Sequence, residues 1–342
     1  MRFTYTEPDG AGNSYREQYE KGILNVMEKR RRELDERRAA GHADILCDPE
    51  PWREKLRLLL GWPLTEERSG LPSFTEKFVT ENEGIRIDRL VFEVMPGLPA
   101  YGMLFRHTDD RNRPLVFSIH GGMGSPELSS GVMVRGTTNY NDMVERFLTA
   151  GANVFAPQLL MWDPGLHAMN DARTADQMRL ITDTRLQLMG GSITALEIYC
   201  MQRELDLFCT MPWVDPDRIG IGGLSYGGFY SLYTAAVETR FKAALVSCDF
   251  SDRFTYCSTD YVWKGAAESI TDAEAALLVH PRKLIVQMAD EDPLTDIEVA
   301  KHEAERVGTD GEDWFTFRVF HGVHEFSPDD GDVTRFLDAL QL

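Results

Sequence analysis

At 342 residues the chain is long for one domain, yet within reach of a single large α/β fold that carries an extension. Its 36 basic and 55 acidic residues give a formal charge of −19, a field that repels a phosphate backbone or an anionic bilayer, so neither nucleic acid nor membrane is an expected partner. The cysteines, Cys47, Cys200, Cys209, Cys248 and Cys257, form no CxxC pair; a zinc site or disulfide framework is disfavoured, and buried free thiols in a reducing, cytoplasmic setting are expected.

In chain order, the first twenty or so residues contain no apolar h-region, and nowhere do 18 apolar residues run together, which points to a soluble protein. From Ser14 to Ala40 the pattern is helical and densely charged, with Ile23, Leu24, Met27 and Leu34 as sparse apolar positions, as suits a surface helix. A second helix is signalled by Asp48 as N-cap and Pro49 in the first turn. It carries Trp52, Leu56, Leu59 and Leu60 on one face and is ended by Gly61 and Pro63. Residues 1–70 are therefore read as an N-terminal helical extension, packed on the main domain or at a subunit contact of a homo-oligomer, with a specific partner-binding arm as the alternative, ahead of a main domain over 71–342.

Alternation then predicts antiparallel strands over Phe74–Thr80, Ile85–Met95 and Ala100–Arg106, separated by the turn-prone Asn82-Glu83-Gly84 and Pro96-Gly97. From Pro114 the character changes to short apolar runs between helical segments: Leu115–Ile119, Asn153–Ala156, Arg218–Gly222, Ala243–Ser247, Leu284–Met288 and Phe315–Phe320. Such runs fit strands buried on both faces, and their alternation with helices implies a mostly parallel central sheet flanked by helices, an α/β class. Residues 158–188, rich in Met and aromatic side chains, leave a strand at its C-terminal end. They are a candidate small lid, with ordinary loop packing as the alternative, and Trp162, His167 and Met169 are pocket candidates there.

The sharpest chemical signal is Gly223-Leu224-Ser225-Tyr226-Gly227-Gly228. With Gly at 28 of 342 positions a chance GxSxG has a probability of roughly one in ten, so the context decides. A buried strand enters the motif and the helical run Phe229–Val237 leaves it, the strand-turn-helix that lifts a serine hydroxyl clear of a sheet. A hydroxyl is a poor nucleophile at neutral pH and needs a base held by a third group. His324, in a loop after the last strand, is the preferred base, with His321 as competitor. Asp292, in the turn after Leu284–Met288 and 32 residues before His324, is the preferred acid, with Asp290 and Asp249 as alternatives. His42, His107, His280 and His302 have no accompanying signature and read as surface or packing residues. The oxyanion of an acyl-transfer intermediate needs donors: the backbone NH of Tyr226, and that of Gly122 or Met123 in His120-Gly121-Gly122-Met123-Gly124. His120 is also a pocket candidate. No GxxxxGK[ST], GxGxxG or HExxH is present, so a phosphate loop or a zinc protease is not supported, and no metal or cofactor is implied.

Four segments together resemble the α/β-hydrolase superfamily, in its dienelactone hydrolase-like and acetyl xylan esterase-like branch: Val214–Gly228 the elbow, Phe117–Gly122 the oxyanion loop, Ala289–Asp296 the acid turn and His321–Phe326 the histidine loop. Trp52–Leu64 is similar to a helix found ahead of the first strand in many bacterial members. The resemblance covers about residues 50 to 342. Ala289 and Val323 stand where the family often has glycine, and neither change removes a functional atom. It implies an α/β-hydrolase fold and a serine esterase or deacetylase with Ser225, Asp292 and His324 as its triad, acting on a small or short-acyl ester. The elbow also resembles that of prolyl oligopeptidases, which makes a serine peptidase the first rival. A non-catalytic binding protein on the same fold is the second.

Overall fold

The computed structural model describes residues 5–109, 111–133, 138–160, 175–255, 262–308 and 313–341. Three helices come first: α1 (Asn13–Ala40), α2 (His42–Cys47) and α3 (Glu50–Leu60). Asp48 closes α2 rather than opening α3, whose N-cap is Pro49 at a φ of −73° and whose first turn holds Pro51, which has no amide hydrogen and so removes one of the donors a capping side chain would serve. Three long strands follow, β1 (Ser73–Asn82), β2 (Ile85–Met95) and β3 (Leu98–His107), then the short β4 (Leu115–Ile119) and β5 (Asn153–Pro157), separated by α4 (Pro126–Ser129) and α5 (Met143–Thr149). The rest runs α6 (Ala175–Leu188), α7 (Ile193–Phe208), β6 (Ile219–Leu224), α8 (Tyr226–Val237), β7 (Ala243–Ser247), α9 (Ala266–Ser269), α10 (Asp272–Val279), β8 (Lys283–Ala289), α11 (Ile297–Val307), β9 (Phe315–Phe320) and α12 (Asp330–Asp338).

All nine strands join one sheet in the order β1-β2-β3-β5-β4-β6-β7-β8-β9. β1 through β5 pair antiparallel, and every pair from β5 to β9 is parallel. The parallel centre is covered on both faces. One face packs Phe92, Phe117, Phe155 and Phe208 with α3, α7, α8 and α10. The other packs Phe147, Phe326 and Phe336 from α5, the last loop and α12. This double burial is why β4, β5, β6 and β7 read as unbroken apolar runs. β9 departs from that expectation. As the edge strand, with one lateral neighbour, it is only partly covered beyond Phe315.

From β4 the chain steps to one side to make β5, then returns past β4 to make β6 on the other. The β4 and β6 C-terminal ends therefore flank a topological switch point, where loops diverge and leave a crevice. Ser225 follows β6 directly, and His120 follows β4. Of the cysteines, Cys248 is buried as expected, Cys200 and Cys209 are half-buried, Cys47 is exposed because it ends α2 on the surface, and Cys257 lies outside the described residues. Among the described residues no helix is long and apolar enough to cross a membrane.

Candidate active site

Ser225 sits between β6 and α8 with φ 58° and ψ −121°, a left-handed conformation that a non-glycine residue adopts only when its surroundings enforce it. The enforcement comes from packing. A side chain on Gly227 would place its Cβ 2.0 Å from the Ile119 carbonyl oxygen, and one on Gly223 would lie 2.4 Å from the same atom. Only glycine lets the turn press this closely on the end of β4. The Ser225 NH donates to the Ser247 carbonyl at 2.7 Å, tying the turn to β7. All of α8 is buried behind it.

His324 and Asp292 meet across the ends of β9 and β8. Nδ1 of His324 donates to Oδ2 of Asp292 at 2.7 Å, while Oδ1 of Asp292 accepts from the Leu294 NH at 2.8 Å. Burial alone would raise the Asp292 carboxyl; the hydrogen bond and charge of His324 outweigh it and hold the group below its ordinary value, so it is ionised at neutral pH. With Nδ1 committed to the carboxylate, Nε2 of a neutral His324 keeps its lone pair. The histidine loop is joined to the elbow's neighbour as well: Oγ of Ser247, whose carbonyl holds Ser225, donates to the Glu325 carbonyl at 3.4 Å. Two further hydrogen bonds fix the loop, Phe326 NH to Asn139 O at 2.8 Å and Asn141 Nδ2 to Phe326 O at 2.6 Å.

The competing residues are placed elsewhere. His321 pairs with Asp290 at 3.2 Å on the exposed side of the same turn, and that hydrogen bond raises the His321 pKa. Asp249 is buried in an ion-pair cluster with Arg253 and Asp272, where Tyr233 donates to Asp272 at 2.9 Å. His42 bonds Glu274, and the ring of His280 packs edge-on against Trp314, as packing residues do.

The β4 loop approaches the serine closely: a Cβ on Gly121 would fall 3.5 Å from Cβ of Ser225 and 3.2 Å from the Leu224 carbonyl oxygen. Met123 has φ 59° and is half exposed at the loop's tip. Tyr226 opens α8, so its NH belongs to the first turn, which has no intrahelical acceptor. His120 serves the β4 loop itself. It is fully buried, its Nε2 accepts from the Leu159 NH at 2.9 Å, and its Nδ1 therefore carries the hydrogen donated to the Gly121 carbonyl at 2.7 Å. Burial lowers its pKa to about 4, so the ring is neutral and braces the loop. Trp162, His167 and Met169 lie outside the described residues, as does 161–174 of the candidate lid, whose remainder forms the end of β5's exit and α6.

Two supports carry no motif in the sequence. Tyr140 Oη accepts from the Gly121 NH at 2.9 Å, and its hydroxyl also fills the space beside Gly124. Cys248, at φ 50° after β7, donates to the Glu325 carbonyl at 3.2 Å beneath the Asp292–His324 pair; burial, and then the Asp292 charge, push its thiol up to about 12, so it is neutral. Among the described residues Cys248, Asp292 and His324 form the one grouping with metal-ligand chemistry, and two of its members are already bonded to each other.

A glucuronoyl esterase from Solibacter usitatus superposes with a TM-score of 0.60 at 13% identity, covering 85% of this chain and 91% of that one. Acetyl xylan esterase 1 from Thermoanaerobacterium sp. JW/SL YS485 superposes with a TM-score of 0.55 at 18% identity, covering 84% and 98%. The chain has the α/β-hydrolase fold. Within that hydrolase fold, residues 202–278, from the end of α7 through α10 and including the elbow, match the prolyl oligopeptidase family. YtaP of Bacillus subtilis (strain 168), named as a hydrolase, is 26% identical over 212 residues, which make up 58% of this chain and 67% of that protein.

Proposed function

We propose that this α/β-hydrolase chain is a serine carboxylic ester hydrolase of esterase or deacetylase type, working through an acyl-enzyme on Ser225. The observation that carries the reading is the strained Ser225 at the switch point of the sheet, tied through Ser247 to the loop that carries His324, which is itself bonded to Asp292. His324 Nε2 takes the Ser225 hydroxyl proton as Oγ attacks the ester carbonyl. The C=O electron pair moves to oxygen, and the NH groups of Tyr226 and of Gly122 or Met123 stabilise that oxyanion. Collapse expels the alcohol, which receives the proton from His324, and leaves an acyl-serine. Water, deprotonated by the same imidazole, then releases the acid and restores Ser225. Asp292 keeps the imidazole in the productive tautomer and stabilises the imidazolium.

Small or short-acyl esters are the proposed substrates. The match to the prolyl oligopeptidase family sustains one rival, a serine peptidase. Purified protein assayed on a panel of acetyl, butyryl and longer esters beside aminoacyl amides separates the two, and turnover confined to the amides would replace our reading by the rival. A fluorophosphonate probe should label the wild type and leave Ser225→Ala unlabelled. Equal labelling of both would remove the serine mechanism altogether.

A further inference from the structure

The 28 residues of α1 dock only by their C-terminal part. Leu34 and Arg38 are buried, Arg38 donates to the Ala267 carbonyl and pairs with Glu274, and Arg31 pairs with Asp252 at 3.1 Å while covering the Phe254 ring. The N-terminal part runs past the body and leaves apolar side chains in water: Tyr19 is 74% exposed, Ile23 42%, Leu24 58%, Val26 70% and Met27 56%. A run of adjacent exposed apolar side chains on one helix is the kind of surface that a partner covers.

The order of residues says which partner. Glu20, Leu24, Met27 and Arg31 follow one another at steps of 4, 3 and 4, and the same stripe continues into the docked Leu34 and Arg38. Beside it, Tyr19, Ile23, Val26 and Arg30 repeat those steps. Both stripes thus hold the heptad spacing of helix-to-helix packing. Each also reads as its own complement when reversed: an acid or an aromatic ring at one end, two apolar residues in the middle, an arginine at the other. Turned end for end, a second α1 sets Glu20 against Arg31, Tyr19 against Arg30, Leu24 against Met27 and Ile23 against Val26. A parallel copy would instead stack the Lys29-Arg30-Arg31-Arg32 run on itself. Arg30 is about half exposed and Arg31 about one third, so both can take a second partner while keeping the one they have.

We infer that α1 pairs antiparallel with the α1 of a second copy of this chain, forming a two-fold dimer whose axis passes near residue 25. The pairing is isologous, so each cross-helix contact occurs twice and the surface closes on itself. It does not depend on the esterase reading.

Light scattering on the purified full chain should give twice the 38.8 kDa chain mass at micromolar concentration. Leu24→Glu/Met27→Glu, at positions outside the folded body, should weaken association by about 100-fold or more, since the central Leu24–Met27 contact, made twice in the dimer, becomes a pair of like charges each time. Orientation is read by a short bifunctional thiol reagent in a Cys47→Ser background. Leu24→Cys should cross-link to its copy, whereas Tyr15→Cys, about 30 Å from its copy at a helical rise of 1.5 Å per residue, should not. A monomeric wild type, a double variant that stays dimeric, or a Tyr15→Cys chain that cross-links as readily as Leu24→Cys would each overturn the inference.

Discussion

Asp292 has one hydrogen bond to His324 and one from the Leu294 NH, so an amide in its place would keep the shape and lose the charge. Asp292→Asn lets the side-chain NH2 face Nδ1 and favours the tautomer whose Nε2 carries a hydrogen, useless as a base. The serine-protease precedent in which this change costs about 10⁴ in turnover makes a loss of at least ~10² the expected outcome here. Asp290→Asn, whose side chain meets the exposed His321 and the Gly322 NH and has no bond to His324, should remain near wild type; kcat on a p-nitrophenyl ester for each folded variant is the measurement. Gly227→Ala probes the turn itself. With its Cβ 2.0 Å from the Ile119 oxygen, this variant should lose more than about 3 kcal/mol of stability in urea unfolding and fail to label with the probe. At this scale the triad candidates were legible because each sits directly after a strand, where the pattern is strong. Tyr140 and Cys248 were not: what they hold is a backbone group more than a dozen residues away, and nothing local in the sequence encodes such a partner.

Between elements the closest coupling is at Glu274 on α10. His42 from α2 bonds it at 2.7 Å, and Arg38 from α1 and Arg306 from α11 pair with the same carboxylate. Burial would raise the Glu274 pKa, but the three cationic or donor partners hold it down to about 2, against an ordinary 4.5. A pKa depressed in the folded state means that the contribution is full above the unfolded value and fades as pH falls from 4.5 towards 2. Glu274→Gln should therefore cost about 3–5 kcal/mol near neutrality, because Arg38, Arg306 and His42 lose the buried carboxylate they share, and the gap to wild type should close on acidification. Urea titrations at a series of pH values follow it; a gap that does not change with pH would assign the cost to packing. The sequence pattern marked both N-terminal helices correctly in type, yet it missed α2. Six residues are too few for a periodic signal, and Asp48 looked like the start of the next helix when it ends the previous one.

For the molecule as a whole, the parallel centre was the most legible part, since strands covered on both faces leave short apolar runs that helical crossovers separate. What the pattern could not convey was lateral position: β9, with Phe315, Phe317, Val319 and Phe320, looks like another central strand but stands at the edge. The helix α8 lies at the other extreme. Every one of its residues from Tyr226 to Val237 is buried, between the sheet on one side and α3, α7 and α10 on the other. Fraying it by a turn would mean prising apart both of these layers, so its amides have no low-energy route to solvent short of unfolding the domain. Deuterium uptake along α8 should proceed at the rate set by global opening, and denaturant should abolish probe labelling at the same midpoint at which tryptophan fluorescence reports loss of structure. Chains in the population would then be either whole and competent or unfolded, with no folded but silent fraction, and the amount of labelled serine in a preparation would count its native molecules directly.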